Sequence, residues 1–277
     1  MSGPDVNKKS QMIGWIMDTY SMFMGHSVPG VVTGKPLDIG GSLGRPEATG
    51  RGVMFATREM LKKHGKKLNE ITVSVQGYGN VGKTAATLLY AEGSKIVAIG
   101  DVSCSIRNKA GLNIPEINDY VAKNGVLKGY KGAGVEEVTT EELLTCECDV
   151  LVPAALENQI TEKIAEKIKA SYIVEGANGP TSSEADVILN KKGIIVIPDI
   201  LANAGGVVVS YFEWAQNIQS LMWNEEEVNS KLENIMVKSF QEVWDTKDQY
   251  KTDMRTGAFI VAMRRLVEAR KIRGVFP

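Results

Sequence analysis

Between residues 71 and 197, short apolar runs alternate with stretches whose apolar residues recur at helical spacing. The strand-like runs are 71–75, 96–99, 150–152, 172–174 and 194–197. The helix-like stretches are 81–92, 114–123, 141–144, 161–169 and 183–190. The strands are mostly apolar without alternation, which predicts burial on both faces. Alternation of this kind implies right-handed βαβ crossovers and a doubly wound parallel sheet. Before it, residues 8–26 carry Met12, Ile13, Ile16, Met17, Tyr20 and Phe23 on one helical stripe, expected to face the core. Residues 25–44 are dense in Gly and Pro and predict a long ordered loop. A second helix opens at Arg45-Pro46-Glu47, where Pro and an acid suit a first turn, and closes at Lys62-Lys63-His64-Gly65. From 201 to 273 the pattern is helical throughout, as three helices broken near Asn224 and Asp253.

Gly77-Tyr78-Gly79-Asn80-Val81-Gly82 lies between the first strand and the helix after it. This is G-x-G-x-x-G in the strand–turn–helix context of a dinucleotide-binding turn. Gly77 permits the tight turn, Gly79 lets a diphosphate approach the backbone, and Gly82 lets the helix pack on the sheet. The helix start adds unpaired N–H groups and a positive dipole end. A plain Gly-rich turn is the bland alternative. The second strand ends at Asp101, 19 residues past Gly82. An acid there accepts hydrogen bonds from a ribose and repels a 2′-phosphate, which favours NAD and leaves NADP possible. Its bland alternative is a turn-capping Asp.

In open α/β sheets, ligands bind outside the carboxyl ends of the strands. Three further strand ends carry candidates. Pro153-Ala154-Ala155 is small and apolar, and Asn158 offers a donor and an acceptor. Asn178 follows the next strand between glycines. After the last strand a helix opens, on which Asn203, Val207 and Ser210 fall on one narrow face toward the strand ends. Gly205 and Gly206 cost that helix stability, for close approach of either a ligand or another helix. The expected organisation is a hinge helix and glycine-rich loop at 1–45, a dinucleotide-binding Rossmann domain at 46–200, and carboxy-terminal helices at 201–277 packing on the cleft and on that domain.

Bulk properties narrow the partners. The chain has 277 residues, 43% of them hydrophobic and 23% charged, and a net charge of −1. That balance gives no electrostatic reason to expect nucleic acid or an anionic membrane. No stretch has the apolar length of a membrane span, and Met1-Ser2-Gly3-Pro4 leads into no continuous apolar segment. Three cysteines make a disulfide framework unlikely in principle; Cys146 and Cys148 read as buried or half-buried free thiols. The two histidines, His26 and His64, lack ligand spacing, so no metal is expected. A reducing cytoplasm fits these features.

The stretches Pro4-Asp5-Val6, Gly34-Lys35-Pro36-Leu37, Gly40-Gly41-Ser42-Leu43-Gly44-Arg45-Pro46-Glu47-Ala48-Thr49-Gly50-Arg51-Gly52, the turn at 77–82, and residues 153–160, 175–181, 203–210 and 254–277 resemble, in order, the carboxy-terminal part of glutamate dehydrogenases. These belong to the wider glutamate, leucine, phenylalanine and valine dehydrogenase family. The resemblance implies hydride transfer between NAD(P) and L-glutamate, giving 2-oxoglutarate and ammonia. It matches Asp5 to the catalytic carboxylate that moves protons at the substrate amine. It matches Arg45 and Thr49 to residues near the nicotinamide, Asn158 and Asn178 to coenzyme contacts, and Asn203, Val207 and Ser210 to the edge of the glutamate pocket. Val102-Ser103-Cys104-Ser105 departs from the commoner pattern, which leaves NAD against NADP open.

Family members also carry an amino-terminal domain that supplies substrate-binding lysines and forms most of a homo-hexamer interface. With nothing matching it before Met1, the chain is expected to bind NAD without turning over glutamate alone, and to be a monomer or weak dimer. The short link near 250–253 leaves no room for the helical antenna some relatives insert there. Other readings are a free-standing dinucleotide-binding module, a leucine, valine or phenylalanine dehydrogenase, and a Rossmann methyltransferase, the last of which leaves the Asn-bearing strand ends unexplained.

Overall fold

A computed structural model describes residues 10–274. Seven strands form one sheet in the order β4-β3-β2-β1-β5-β6-β7. They are β1 (Thr72–Gln76), β2 (Lys95–Gly100), β3 (Ser105–Arg107), β4 (Glu136–Val138), β5 (Val150–Pro153), β6 (Tyr172–Val174) and β7 (Ile195–Ile197). β1 lies in the middle, with Val75 paired to Ile99 on one side and to Val152 on the other. The five strands β2, β1, β5, β6 and β7 run parallel, as the apolar runs predict. β3 and β4 add antiparallel on the β2 side. They were not foreseen, because three residues each, one of them Glu136-Glu137-Val138, present no apolar run.

The helices between strands are α3 (Asn80–Ala91), α4 (Ile114–Asn124), α5 (Thr140–Leu144), α6 (Glu162–Lys167) and α7 (Ser183–Lys191). They cover both faces of the sheet. Val73, Val75, Val150 and Val152 point into one apolar cluster with α2 (Ala48–Lys63) and α3, while Leu151, Ile173 and Ala98 point into a second with α5, α6 and α7. Burial on both sides explains why these strands read as continuous apolar runs. α2 ends as expected, with Lys62 and Lys63 in its last turn and Gly65 at φ +66°.

Two expectations need correction. The stripe on α1 (Ser10–Met24) does not face the core. Of its six residues only Ile13 is buried, and Phe23 is 87% exposed. Among the described residues the helix packs on the loop at 29–41, where Ile39 lies against Gly14, and Ser21 Oγ accepts the Val28 amide at 3.1 Å. The helical region after β7 is also broken earlier than expected. α8 (Asp199–Ala202) stops at Asn203, and α9 (Gly205–Gln219) begins after Ala204. α10 (Glu225–Tyr250) and α11 (Met254–Arg273) follow, capped by Asn224 and Asp253 and joined through Lys251 at φ +52°. The glycine-rich loop is ordered by a buried ion pair: Lys35 Nζ reaches Glu213 of α9, which also accepts the amides of Gly34 and Lys35.

Candidate functional site

The turn after β1 is shaped by what its glycines exclude. Gly77 sits at φ +90°, and a side chain there would meet the Ala154 carbonyl oxygen at 2.6 Å. A Cβ on Gly82 would strike the Gly77 carbonyl oxygen. Gly79 differs, since nothing lies within 4 Å of where its Cβ would stand. Above that gap, the amides of Asn80, Val81 and Gly82 have no acceptor among the described residues, and no side chain caps α3. Three free donors at the start of a 12-residue helix, with a bare backbone before them, fit a diphosphate.

The other members of the turn face elsewhere. The Tyr78 ring is buried and its hydroxyl donates to Asn118 at 2.9 Å, so burial holds the phenol well above its usual range and only its backbone faces the turn. Asn80 donates to the Pro46 carbonyl at 2.8 Å, tying the turn to the head of α2. Backbone bonds bring the strand ends into register around Gly77, which donates to Gly100 at 2.8 Å, while Ala154 donates to Gln76 at 2.7 Å.

Asp101 stands at the tip of β2, with Val102 beside it fully exposed. Its Oδ1 accepts from Ser103 N, Ser103 Oγ and Cys104 N, and its Oδ2 accepts from Leu127 N at 2.7 Å. Burial pushes the carboxyl up, but these hydrogen bonds outweigh it and hold Asp101 below the usual range. Asp101 is therefore an ionised anchor joining two loops. A carboxylate offers about four acceptor positions, so Oδ2 keeps capacity for a ribose hydroxyl.

The remaining candidates gather at the β5, β6 and β7 ends. Ala154 is half-buried and Ala155 exposed; Asn158 is exposed in the left-handed region at φ +54°, its amide donating to Gly179 at 2.8 Å. Asn203 Nδ2 donates to Asn178 Oδ1 at 2.7 Å, which joins the β6 and β7 loops directly. Asn203 caps α8 and is not part of α9, so the spacing that placed it on a face with Val207 and Ser210 does not apply. Ser210 still turns to the same region, accepting from Arg45 Nε at 2.9 Å, while Val207 is 73% exposed. Gly205 and Gly206 are explained by helix packing. A Cβ on Gly205 would meet the Ala48 carbonyl, and one on Gly206 would meet Thr49 Oγ1.

Arg45 makes no ion pair among the described residues. Burial lowers its pKa and the charge of Glu213 partly restores it. Its Nε is spent on Ser210, which leaves its terminal nitrogens for a polar ligand group. Asp5 lies outside the described residues. No group of three or more His, Cys, Asp or Glu side chains among the described residues is placed to hold a metal. Cys146 is buried, and Cys104 and Cys148 are half-buried free thiols, as expected.

The sequence reading missed the charged side chains behind the loops. Glu175 directly follows β6 and is fully buried, paired with Arg255 at the start of α11. An acid continuing an apolar strand was a usable signal for a buried partner, but its partner lies 80 residues away.

A mostly parallel central sheet, a glycine turn with free helix-start amides, and polar residues collected at the carboxyl strand ends define a Rossmann-like α/β fold. The family model described as Glutamate/Leucine/Phenylalanine/Valine dehydrogenase matches residues 40–274, and the chain belongs to that family. It is 50% identical over 276 residues to the glutamate dehydrogenase of Thermotoga maritima, covering 99% of this chain and 66% of that protein. Among solved structures, hetero-hexameric glutamate dehydrogenase from Thermus thermophilus in its leucine-bound form superposes with a TM-score of 0.92 at 36% identity. Glutamate dehydrogenase from Peptoniphilus asaccharolyticus does so with a TM-score of 0.85, also at 36% identity. Each alignment covers 99% of this chain and 65% of the other. The chain thus spans just under two thirds of the relatives it matches. The family uses nicotinamide dinucleotide cofactors.

Proposed function

We propose that this chain is the coenzyme-binding part of a glutamate dehydrogenase and holds NAD across the carboxyl ends of its sheet. The observation that carries the reading is the set of free amides at Asn80, Val81 and Gly82 over the gap at Gly79. Those amides take the diphosphate, with Tyr78 and Val81 contributing backbone. Asp101 and Val102 take the adenosine ribose, and the ionised Asp101 disfavours a 2′-phosphate. Ala154, Ala155, Asn158, Asn178 and Asn203 line the nicotinamide half, with Arg45 and Thr49 at the head of α2. When bound, NAD supplies the hydride acceptor. Val207 and Ser210 form the edge of the glutamate pocket, and Asp5 moves protons at the amine.

The 277 residues by themselves bind NAD and do not turn over glutamate. Hydride transfer needs the substrate held at near-attack distance, and this chain covers only 66% of the matched Thermotoga maritima protein. Separate calorimetric titrations with NAD and NADP test the reading. Uptake of NAD in preference to NADP is expected. Uptake of neither would overturn it, and near-native glutamate oxidation by the chain alone would overturn the activity part.

A further inference from the structure

We infer that Arg255 is a positioning residue for the nicotinamide half of the coenzyme site, acting from behind the loops that face the ligand; this rests on the coenzyme reading above. Arg255 stands in the first turn of α11. It faces three carboxylates: Glu175 after β6, Asp186 of α7, and Asp199 at the start of α8. Its contact with Glu175 is two-pronged, Nη1 to Oε2 at 3.0 Å and Nη2 to Oε1 at 2.8 Å. Nε donates to Asp186, and Nη1 lies 3.5 Å from Asp199 Oδ1.

Those carboxylates in turn hold the two loops. Glu175 Oε2 accepts the Asp199 amide at 2.8 Å, and Asp199 Oδ2 accepts the Gly179 amide at 2.8 Å. Asn203 is bonded back to the Asp199 carbonyl at 3.0 Å and forward to Asn178 at 2.7 Å. One guanidinium therefore fixes the 175–179 loop and the 199–203 turn to each other, and Asn178 and Asn203 are the ends of that linkage nearest the ligand. Burial pushes the Glu175 carboxyl up and Arg255 opposes it, so the anchor depends on the fork staying in place. Lysine keeps the charge but lacks the planar fork that meets both oxygens. None of these hydrogen bonds reaches the turn at 77–82, where Gly176 only packs beside the Val81 side chain, so the network bears chiefly on the nicotinamide half of the coenzyme.

The experiment compares NAD with ADP, which carries the adenosine and diphosphate but neither the second ribose nor the nicotinamide ring. Both are titrated into the full 277-residue chain, into Arg255→Lys and into Asp186→Asn, each well below its melting temperature. Asp186→Asn removes one outer partner while Glu175 keeps its counter-ion, so it serves if Arg255→Lys does not fold. The expected result is NAD binding weakened about threefold to tenfold in either variant, with ADP changed by less than about twofold. Equal weakening of both ligands, or of neither, would make the network merely structural and overturn the inference. Binding of neither ligand by the unsubstituted chain would overturn the coenzyme reading and the inference with it.

Discussion

Lys35 Nζ lies 2.5 Å from Glu213 Oε1, and both side chains are wholly excluded from solvent. The pair joins the glycine-rich loop to α9 across 178 residues of sequence. Removing one partner leaves a buried charge without compensation, which costs on the order of 3–5 kcal/mol. Glu213→Ala should therefore lower the urea midpoint strongly, and Lys35→Met should do the same. Replacing both together should cost less than the sum, and additive effects in a double-mutant cycle would contradict direct coupling.

The three glycines of the turn should separate stability from binding. Gly79→Ala places a methyl group in open space at φ −79°, so thermal unfolding should be unchanged while NAD affinity falls by at least about tenfold, roughly 1.4 kcal/mol. Gly82→Ala drives a methyl group into the Gly77 carbonyl and should destabilise the fold itself by about 1–3 kcal/mol. A Gly79→Ala protein that melts early, or that binds NAD normally, would contradict the assignment of that gap to the diphosphate.

Acid should weaken the sheet through Asp149. It accepts the Thr72 amide at 2.9 Å and the Thr72 hydroxyl at 2.8 Å, and Lys66 sits at 3.3 Å. Burial raises its pKa, but these partners more than offset that and leave it below the usual value of 3.8. A folded-state pKa that is depressed gives stability that is present above the unfolded value and lost as pH falls through the folded one. The sign is the same for Asp101. Chemical denaturation of Asp149→Asn between pH 3 and pH 7 should show lower stability near neutrality and a flatter acid limb than the unsubstituted chain. Parallel curves for the two proteins would rule this out.

The α1 stripe makes a contrasting prediction. Phe23→Ser and Ile16→Ser should change stability by no more than about 0.5 kcal/mol, since both side chains are exposed. Ile13→Ala, on the same stripe, should cost about 2–5 kcal/mol because Ile13 is fully buried. Equal losses at positions 13 and 23 would show that the whole stripe is covered in solution.

Much of the fold was legible because the parallel strands are buried on both faces and so announce themselves as apolar runs. The runs at 71–75 and 150–152 correspond to Thr72–Gln76, moved by one residue at both ends, and Val150–Pro153, longer by one residue at its end. Ser105–Arg107 and Glu136–Val138 stayed hidden because three residues each are too short to form an apolar run, and Glu136–Val138 is an exposed edge besides. The glycine turn was legible residue by residue, since its backbone demands are local. Asp101 follows the second strand as its sequence position implies, but its bonds to Leu127 and Cys104 depend on loops that meet only in the folded chain. The Asn203, Val207 and Ser210 face failed in part because Asn203 ends one helix before the next begins. Lys35 with Glu213, and Glu175 with Arg255, pair across 80 residues or more, beyond the reach of any periodic pattern.

The two flanks of the sheet bear on how this molecule behaves in a crowd. At one flank Glu136 and Glu137 of β4 are exposed, Glu136 paired with Arg107 of β3, and at the other α11 lies against β7. A strand from a neighbouring molecule would meet negative charge on one side and a helix on the other. Charge at one end of the row and a helix at the other both work against lateral recruitment, the common route from an open sheet to insoluble fibrils.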